Sequence, residues 1–376
     1  MRLGPRSRRP YALSGNGLRL PSRCNDGCDR NGARSLDVAS RSRQLCFNRP
    51  RTVIYNLLKW ITGIALHWFY RDICVIGSEK IPADVPLLIA ANHQNALVDS
   101  LIVGWVVPRR ITMTAKATLA ENALISLLFR MLGVVPLRRA SDEIRNAGQV
   151  SVDRSRNTGA FREILNVLNR NGAVLIFPEG KSHNEVGLEP LKTGLARLAL
   201  KARDDCSIKG VTILPLGLVF EDKGTPGTIV GAHVGEPIKM DSWPSNDHVA
   251  LIEEVSKRLR RVSEEAGLPT PTEKLVIQTG KPWREKLIAL AAAWGRFTHE
   301  LPIRTARRIA IKRSVDADQP AMLTITFGTG LVLLTYIIHL TIVGTLVHSF
   351  WISALYLAGL VTGAYWAAFE QHPRRS

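Results

Sequence analysis

Along the middle of this 376-residue chain the spacing of apolar positions switches repeatedly between two periods. Short apolar runs predict strands at Ile73–Ile76, Leu87–Ala91, Ile111–Thr114, Val134–Leu137, Ala173–Phe177 and Val211–Val219. Between them the period lengthens to that of a helix. Leu124, Leu127, Leu128 and Met131 share a face before Gly133. Phe161, Ile164, Leu165 and Leu168 do so before Asn171-Gly172, and Leu191, Leu195, Leu198 and Ala202 mark a third helix. A further helix, Val249 to Ala266, turns Ile252, Val255, Leu259 and Val262 inward and stops at Gly267. This alternation predicts an α/β layer domain over residues 72–268, with a mixed or mostly parallel sheet flanked by helices.

Near the C-terminus the pattern loses its polar half. Residues 321–347 contain no Asp, Glu, Lys or Arg, and neither do residues 350–369. Each stretch reaches the roughly 20 apolar residues a membrane-spanning helix needs. Only His348 and Ser349 separate them, so two transmembrane helices in a tight hairpin are expected. Arg304, Arg307, Arg308, Lys312 and Arg313 precede the hairpin, Arg374 and Arg375 follow it, and the connection has no Lys or Arg. The positive-inside rule therefore places both flanks in the cytoplasm. Residues 269–320, opening on Pro269-Thr270-Pro271-Thr272, read as a basic juxtamembrane linker with helices. Upstream of the α/β domain, residues 53–70 form one apolar, aromatic-rich helix interrupted by Lys59. It is expected to lie in one leaflet as a membrane-interface helix. The chain thus reads as a multi-pass membrane protein in contact with lipid, its α/β domain on the cytoplasmic face.

Charge sharpens this picture at one end. The net charge is +18, and residues 1–51 carry twelve Arg against three Asp and no Lys or Glu, 12 − 3 = +9. This tail has no apolar periodicity and is rich in Ser, Gly and Pro, so it is expected to be disordered. A functional role for it and a start codon placed too far upstream both remain open. The other half of the charge is spread over the body, as suits a protein facing anionic headgroups. A nucleic-acid partner lacks support, because no recognition helix, zinc-finger spacing or stacking platform is found. Cys24 and Cys28, in the tail, have no second pair or His cluster nearby, and no metal-ligand spacing occurs elsewhere. No metal or cofactor is expected.

Two stretches carry candidate chemistry. Asn92-His93-Gln94-Asn95-Ala96-Leu97-Val98-Asp99 follows the strand Leu87–Ala91, and Phe177-Pro178-Glu179-Gly180-Lys181-Ser182-His183 follows the strand from Ala173. A His at a strand end with a carboxylate close by can take a proton from an alcohol: imidazole is the base, and carboxylate fixes its tautomer. Six positions separate His93 from Asp99, a net helical rotation of about 240°, so the segment between them must be partly non-helical. Gly180-Lys181-Ser182 resembles the end of a P-loop, but Leu175 stands where the first glycine belongs. No nucleophile-elbow G-x-S-x-G occurs, which favours direct transfer over a covalent intermediate.

Ala90-Ala91-Asn92-His93 with Asp99, then Gly133-Val134-Val135-Pro136-Leu137-Arg138-Arg139, then Phe177-Pro178-Glu179-Gly180, then Leu214-Pro215-Leu216 form an ordered series. In these four blocks, within residues 86–238, the chain resembles the glycerolipid acyltransferase superfamily, the glycerol-3-phosphate, dihydroxyacetone-phosphate and lysophosphatidate O-acyltransferases. The resemblance implies that His93 deprotonates the acceptor hydroxyl, which attacks an acyl thioester, while Asp99 orients His93. It implies acceptor binding by Arg139, whose guanidinium suits a phosphate, by Glu179 and Gly180, and by Lys116 at a strand end. Pro215 matches the fourth block. Five residues lie between His93 and Asp99 where the commonest spacing has four, and Lys181-Ser182-His183 replaces the common Thr-Arg-Ser. Both departures, with Pro190-Leu191-Lys192-Thr193-Gly194, resemble the fungal-type glycerol-3-phosphate and dihydroxyacetone-phosphate branch. The implied function is transfer from acyl-CoA or acyl-carrier protein to a glycerol-phosphate-type acceptor in phospholipid biosynthesis. Acylation of another lyso-lipid, such as a lyso-aminolipid, and a catalytically silent lipid-binding protein are the alternatives.

Overall fold

The computed structural model describes residues 38–117, 126, 133–137, 157–183, 187–269, 282–314 and 319–369. Among these, eight strands form one sheet: β1 (Asp72–Ile76), β2 (Leu87–Ala91), β3 (Ile111–Lys116), β4 (Val135–Leu137), β5 (Ala173–Ile176), β6 (Thr212–Phe220), β7 (Ile229–Val234) and β8 (Ile238–Lys239). Their order is β1-β7-β6-β2-β5-β3-β4, with β8 paired to β6. β2 lies at the centre, parallel to both β5 and β6, and β3 and β4 continue parallel beyond β5. β7 and β8 run antiparallel to β6, so the sheet is mostly parallel and mixed towards one edge.

Side chains alternate across the sheet and divide the core into two layers. Leu87, Ile89 and Ala91 of β2, Leu175 of β5 and Leu214 and Leu216 of β6 face one side. There they meet α1 (Val38–Phe69) through Leu66 and Phe69, and α2 (Ala96–Val106) through Val98 and Ile102. Leu88, Ala90, Val174, Ile176 and Ile213 face the other side. They pack against α3 (Thr158–Leu168), α4 (Gly194–Asp204) and α5 (His248–Ser263) through Ile164, Leu198 and Val255. Near-continuous apolar strands, buried on both faces, are what such a layered parallel sheet requires.

The strands fall where the apolar runs place them, within two residues. β7, β8 and α2 add to that set. α2 is apolar nearly all round, so it shows no helical period, and Gly231 and His233 interrupt the apolar run of β7. The helical pattern at Leu124–Met131 has its periodic residues outside the described ones. Helix α1 starts at Val38, so residues 38–51 are helical where a disordered tail is expected; residues 1–37 are outside the described ones. A helix anchored at its C-terminal end extends upstream at one hydrogen bond per residue fixed, which needs no apolar pattern. That anchor is firm: Leu66, Phe69 and Tyr70 are buried in the core, and Trp68 Nε1 donates to the Ala364 carbonyl at 3.2 Å.

Within the segment expected as a basic linker with helices, residues 282–313 form a single 32-residue helix, α6 (Pro282–Arg313), packed against α7 (Gln319–Val347) and α8 (Phe350–Phe369). Its inner face is small: Ala292, Ala306 and Ala310 are fully buried, and a Cβ on Gly295 would stand 1.9 Å from the Gly363 carbonyl oxygen. Main chain meets main chain there, the close approach that small residues permit. His299 Nε2 and the Tyr336 hydroxyl are hydrogen-bonded at 2.7 Å, and His339 Nδ1 and the Tyr356 hydroxyl at 2.8 Å. α7 and α8 are each long and apolar enough to cross a membrane by length and composition. The first turns of α7 also belong to the α/β core, where Ala321 and Ile325 join Leu66, Phe69 and Tyr70.

Candidate active site

Strands β2 and β5 end side by side, Ala90 opposite Ile176, and each delivers its loop to the same edge of the sheet. On the far side of β2, Asn92 fixes where the catalytic loop begins. Its Nδ2 donates to the Leu218 carbonyl at 2.9 Å and its Oδ1 accepts from the Leu218 N–H at 2.7 Å. A side-chain amide thus repeats the pairing of a backbone amide and extends the β2–β6 ladder by one position.

His93 follows immediately. Its Nδ1–H donates to Asp99 Oδ2 at 2.9 Å, and both side chains are buried. Asp99 lies in the first turn of α2, and Asn95 is the N-cap residue of that helix. The chain enters α2 through Ala96 in the left-handed region, φ 44°, which reconciles six positions of separation with direct contact. Asp99 Oδ2 also accepts from the Asn95 N–H at 2.7 Å, so the carboxylate closes the helix end as it orients the imidazole. The Phe177 ring stacks on the imidazole with centroids 4.0 Å apart and planes 14° from parallel, fixing its plane and keeping water from one face. Among the described residues nothing hydrogen-bonds His93 Nε2. The ring therefore presents a basic nitrogen, with the other nitrogen's proton held by a carboxylate, the state a general base requires.

Glu179 is buried, and the chain itself occupies both of its oxygens. Oε1 accepts from the His93 backbone N–H at 2.6 Å, and Oε2 accepts from the Glu189 N–H at 2.9 Å and from His183 Nε2. Through these bonds Glu179, expected at the acceptor, ties the His93 loop to the loop after β5. Gly180, likewise expected at the acceptor, supplies a left-handed turn at φ 81° that closes with its N–H on the Phe177 carbonyl at 3.1 Å. Ser182 Oγ accepts from the Ala96 N–H at 3.0 Å, and the His183 N–H donates to the His93 carbonyl at 3.2 Å.

A second support comes from the β6–β7 connection. Asn95 Nδ2 donates to the Tyr70 hydroxyl at 2.9 Å and to the Lys223 carbonyl at 3.0 Å, while Lys223 Nζ donates to the Gln94 carbonyl at 2.9 Å. Burial, reinforced by the Asp99 charge, pushes the Tyr70 hydroxyl well above the usual phenol range, so it stays protonated and donates to the Lys223 carbonyl. The Asp222 carboxyl is held below its ordinary range by the Thr225 hydroxyl and the Gly224 N–H.

Lys116 is the last residue of β3, its backbone opposite Leu137 of β4, at the edge to which β5 also points. Arg139, two positions beyond Leu137, lies outside the described residues. Pro215 is within β6 in register with Ala90, and its carbonyl accepts from the Gly235 N–H. The sequence reading missed Asn92, Asn95, Tyr70 and Lys223 as supports. Asn92 directly precedes the candidate base; the others carry no local signal, because they act through contacts distant in sequence. No group of three or more His, Cys, Asp or Glu among the described residues is arranged to hold a metal ion.

Residues 72–219 match the family model described as Acyltransferase. Glycerol-3-phosphate O-acyltransferase 1 of Saccharomyces cerevisiae is 21% identical over 270 residues, 50% of this chain and 35% of that protein. A 1-acyl-sn-glycerol-3-phosphate acyltransferase of Cocos nucifera is 27% identical over 208 residues, 52% of this chain and 61% of its own. The chain spans about a third of the length of the curated yeast relatives it matches. A solved structure, the 1-acyl-sn-glycerophosphate acyltransferase PlsC from Thermotoga maritima, covers 59% of this chain and 84% of its own at 23% identity, with a TM-score of 0.44. With the four sequence blocks and the His93–Asp99 pair, the matched segment and its relatives lead to one assignment: residues 72–219 form an acyltransferase domain similar to those of the glycerolipid acyltransferases.

Proposed function

We propose that the protein is a membrane-bound O-acyltransferase that moves an acyl chain from a thioester, acyl-CoA or acyl-carrier protein, to a hydroxyl of a glycerol-phosphate-type acceptor. The observation that carries this reading is the buried His93–Asp99 pair, 2.9 Å apart, at the common end of β2 and β5. His93 Nε2 takes the proton of the acceptor hydroxyl as its oxygen attacks the thioester carbonyl. Asp99 stabilises the imidazolium that results. When the tetrahedral intermediate collapses, the C–S bond breaks and the proton passes from His93 to the leaving thiolate. An ester and a free thiol remain, with no metal or cofactor required.

Glycerol 3-phosphate or dihydroxyacetone phosphate is favoured over lysophosphatidate as acceptor. The five-residue spacing and Lys181-Ser182-His183 support this order, as does the relative named for glycerol 3-phosphate. Arg139 is assigned to the acceptor phosphate, with Lys116 as a second cation. Attachment through the α7–α8 hairpin, with the catalytic domain on the cytoplasmic face, is supported by the apolar length of both helices and the arginines flanking them.

The test is acyl transfer by purified protein to glycerol 3-phosphate, dihydroxyacetone phosphate and lysophosphatidate, with both carriers. Ester formation on the first two at higher kcat/KM is expected. A higher value for lysophosphatidate overturns the acceptor order, and no ester with any acceptor overturns the activity. Arg139→Ala should raise acceptor KM about 10- to 100-fold, the worth of a hydrogen bond to a charged group, and leave donor KM unchanged.

A further inference from the structure

Helix α6 presents two unlike faces. The inner one, Ala292, His299, Ala306 and Ala310, is buried against its neighbours. On the outer one Trp283, Leu287, Leu290, Trp294, Phe297 and Leu301 follow one another at intervals of four, three, four, three and four residues, all exposed, between 39 and 78%. That spacing puts six large apolar side chains in one stripe. The same stripe continues into Arg304, Arg308 and Lys312, also exposed. The apolar part is about 27 Å long at the α-helical rise. A groove of about 520 Å³ runs along its edge, where Phe297 and Leu301 face Leu331, Leu334 and Ile338 of α7.

We propose that α6 is a lipid-contacting helix lying within the leaflet nearest the catalytic domain, its Trp283–Leu301 stripe against acyl chains and its Arg308 and Lys312 end on anionic headgroups. The proposal rests on the membrane attachment inferred above. Large exposed apolar patches mark interaction surfaces, and cations at the end of this one select a surface that is apolar within and anionic at its edge.

Three observations orient the helix along the bilayer. First, α6 and α7 run antiparallel, with Gly328 beside Ala306 at one level and Tyr336 bonded to His299 further along. Second, the two ends of α6 are tied to one side. Its C-terminal end adjoins the start of α7, which is part of the α/β core, and its N-terminal end follows Pro269, which packs on Gly231 of β7, by twelve residues. Were α6 upright, those twelve residues, Glu273, Lys274 and Lys281 among them, would have to cross the hydrocarbon, where only internally satisfied backbone is tolerated. Third, both ends carry net positive charge, one with Arg284 and Lys286 against Glu285 and the other with Arg304 to Arg313, as expected of two ends on the cytoplasmic side. The Arg284 guanidinium stacks 5.3 Å from the Trp283 ring, an anchor suited to the headgroup level. Glu300 is neutralised by Arg304 one turn on. Because α7 pairs with α6, in the proposed arrangement the hairpin enters the membrane from one side with α6, in place of the two crossings expected from the apolar lengths of α7 and α8.

The test uses the full chain in phosphatidylcholine–phosphatidylglycerol vesicles, with a bimane label on Leu290→Cys, Leu301→Cys, Ile337→Cys or Ser349→Cys. The label at 290 and 301 should be quenched by chain-brominated lipid to within twofold of that at 337 and should resist aqueous iodide. The Ser349→Cys thiol should react with an impermeant thiol reagent from the side bearing the catalytic domain. Iodide quenching at 290 and 301, or protection there from both quenchers as by a protein partner or a second copy, overturns the proposal. Reaction of position 349 from the opposite side alone overturns it as well. If 337 also escapes the lipid quencher, the membrane attachment itself fails, and no outcome depends on acyl transfer. Replacing Arg308 and Lys312 by Gln should lower the preference for spin-labelled phosphatidylglycerol over phosphatidylcholine about fivefold per charge removed. An unchanged preference removes the cationic end from the proposal.

Discussion

The Glu179 carboxylate holds His93 by its main chain, 2.6 Å from the backbone nitrogen, while Asp99 holds the same residue by its ring. Two buried carboxylates thus fix one imidazole from opposite ends, and neither needs to touch substrate to do so.

A positioning role for Glu179 separates kcat from KM. Glu179→Gln keeps the shape but turns one acceptor oxygen into a donor facing N–H groups. We expect kcat to fall at least tenfold with acceptor KM within twofold of wild type. Saturation kinetics decide it: a large rise in acceptor KM at unchanged kcat would return Glu179 to the acceptor site.

Removing the base has a different signature. His93→Ala should lower kcat on the order of 10²–10⁴-fold and leave the circular dichroism spectrum and vesicle binding unchanged. Asp99→Asn should also lower kcat, because an amide no longer favours the Nδ1–H tautomer. Near-normal turnover in His93→Ala would sink the mechanism.

Asn92→Ala strips partners from the buried N–H and C=O of Leu218. A loss of about 2–3 kcal/mol is expected in urea unfolding. Asn92→Asp, which keeps the acceptor and loses the donor, should fall between the two. An unchanged midpoint for the alanine variant would show that the ladder extension is dispensable.

Two glycines in the C-terminal bundle should respond with opposite signs. Gly295→Ala forces a methyl into the Gly363 carbonyl and should lower the unfolding midpoint by the equivalent of about 1–3 kcal/mol. At Gly359 nothing lies within 4 Å, so Gly359→Ala should be neutral or raise stability by about 0.5–1 kcal/mol through helix propensity. Thermal unfolding in detergent compares them.

Burial pushes the His233 imidazole below its ordinary value of 6.5. The folded state therefore prefers the neutral ring. Its stability is fully present above pH 6.5, declines as the unfolded chain takes up the proton below that pH, and levels off past the folded value. Unfolding midpoints between pH 8 and 5 should fall towards acid, and His233→Gln should flatten part of that fall. An equal slope in the variant would remove His233 as a contributor.

How far the sequence reveals this arrangement depends on whether a residue's role is local. Leu87–Ala91 and Ala173–Ile176 declare themselves as buried strands because every position is apolar, and the histidine and carboxylate at their ends are conspicuous for the same reason. Helix α2 hides its period because it is apolar nearly all round. Glu179 stands in the expected motif, yet its role depends on where the His93 and Glu189 N–H groups arrive after folding. The outer stripe of α6 is regular, but interspersed Arg and Glu conceal it until the inner face is known. Ala96 belongs to the same class, since no composition signals a left-handed alanine.

That alanine governs how the motif can vary. The left-handed residue is the first of α2, directly after its N-cap Asn95, so the turn that brings Asp99 back to His93 is made where the histidine loop joins the helix. Glycine or asparagine are the replacements that this joint accepts most readily, because both adopt the left-handed conformation at less cost than alanine.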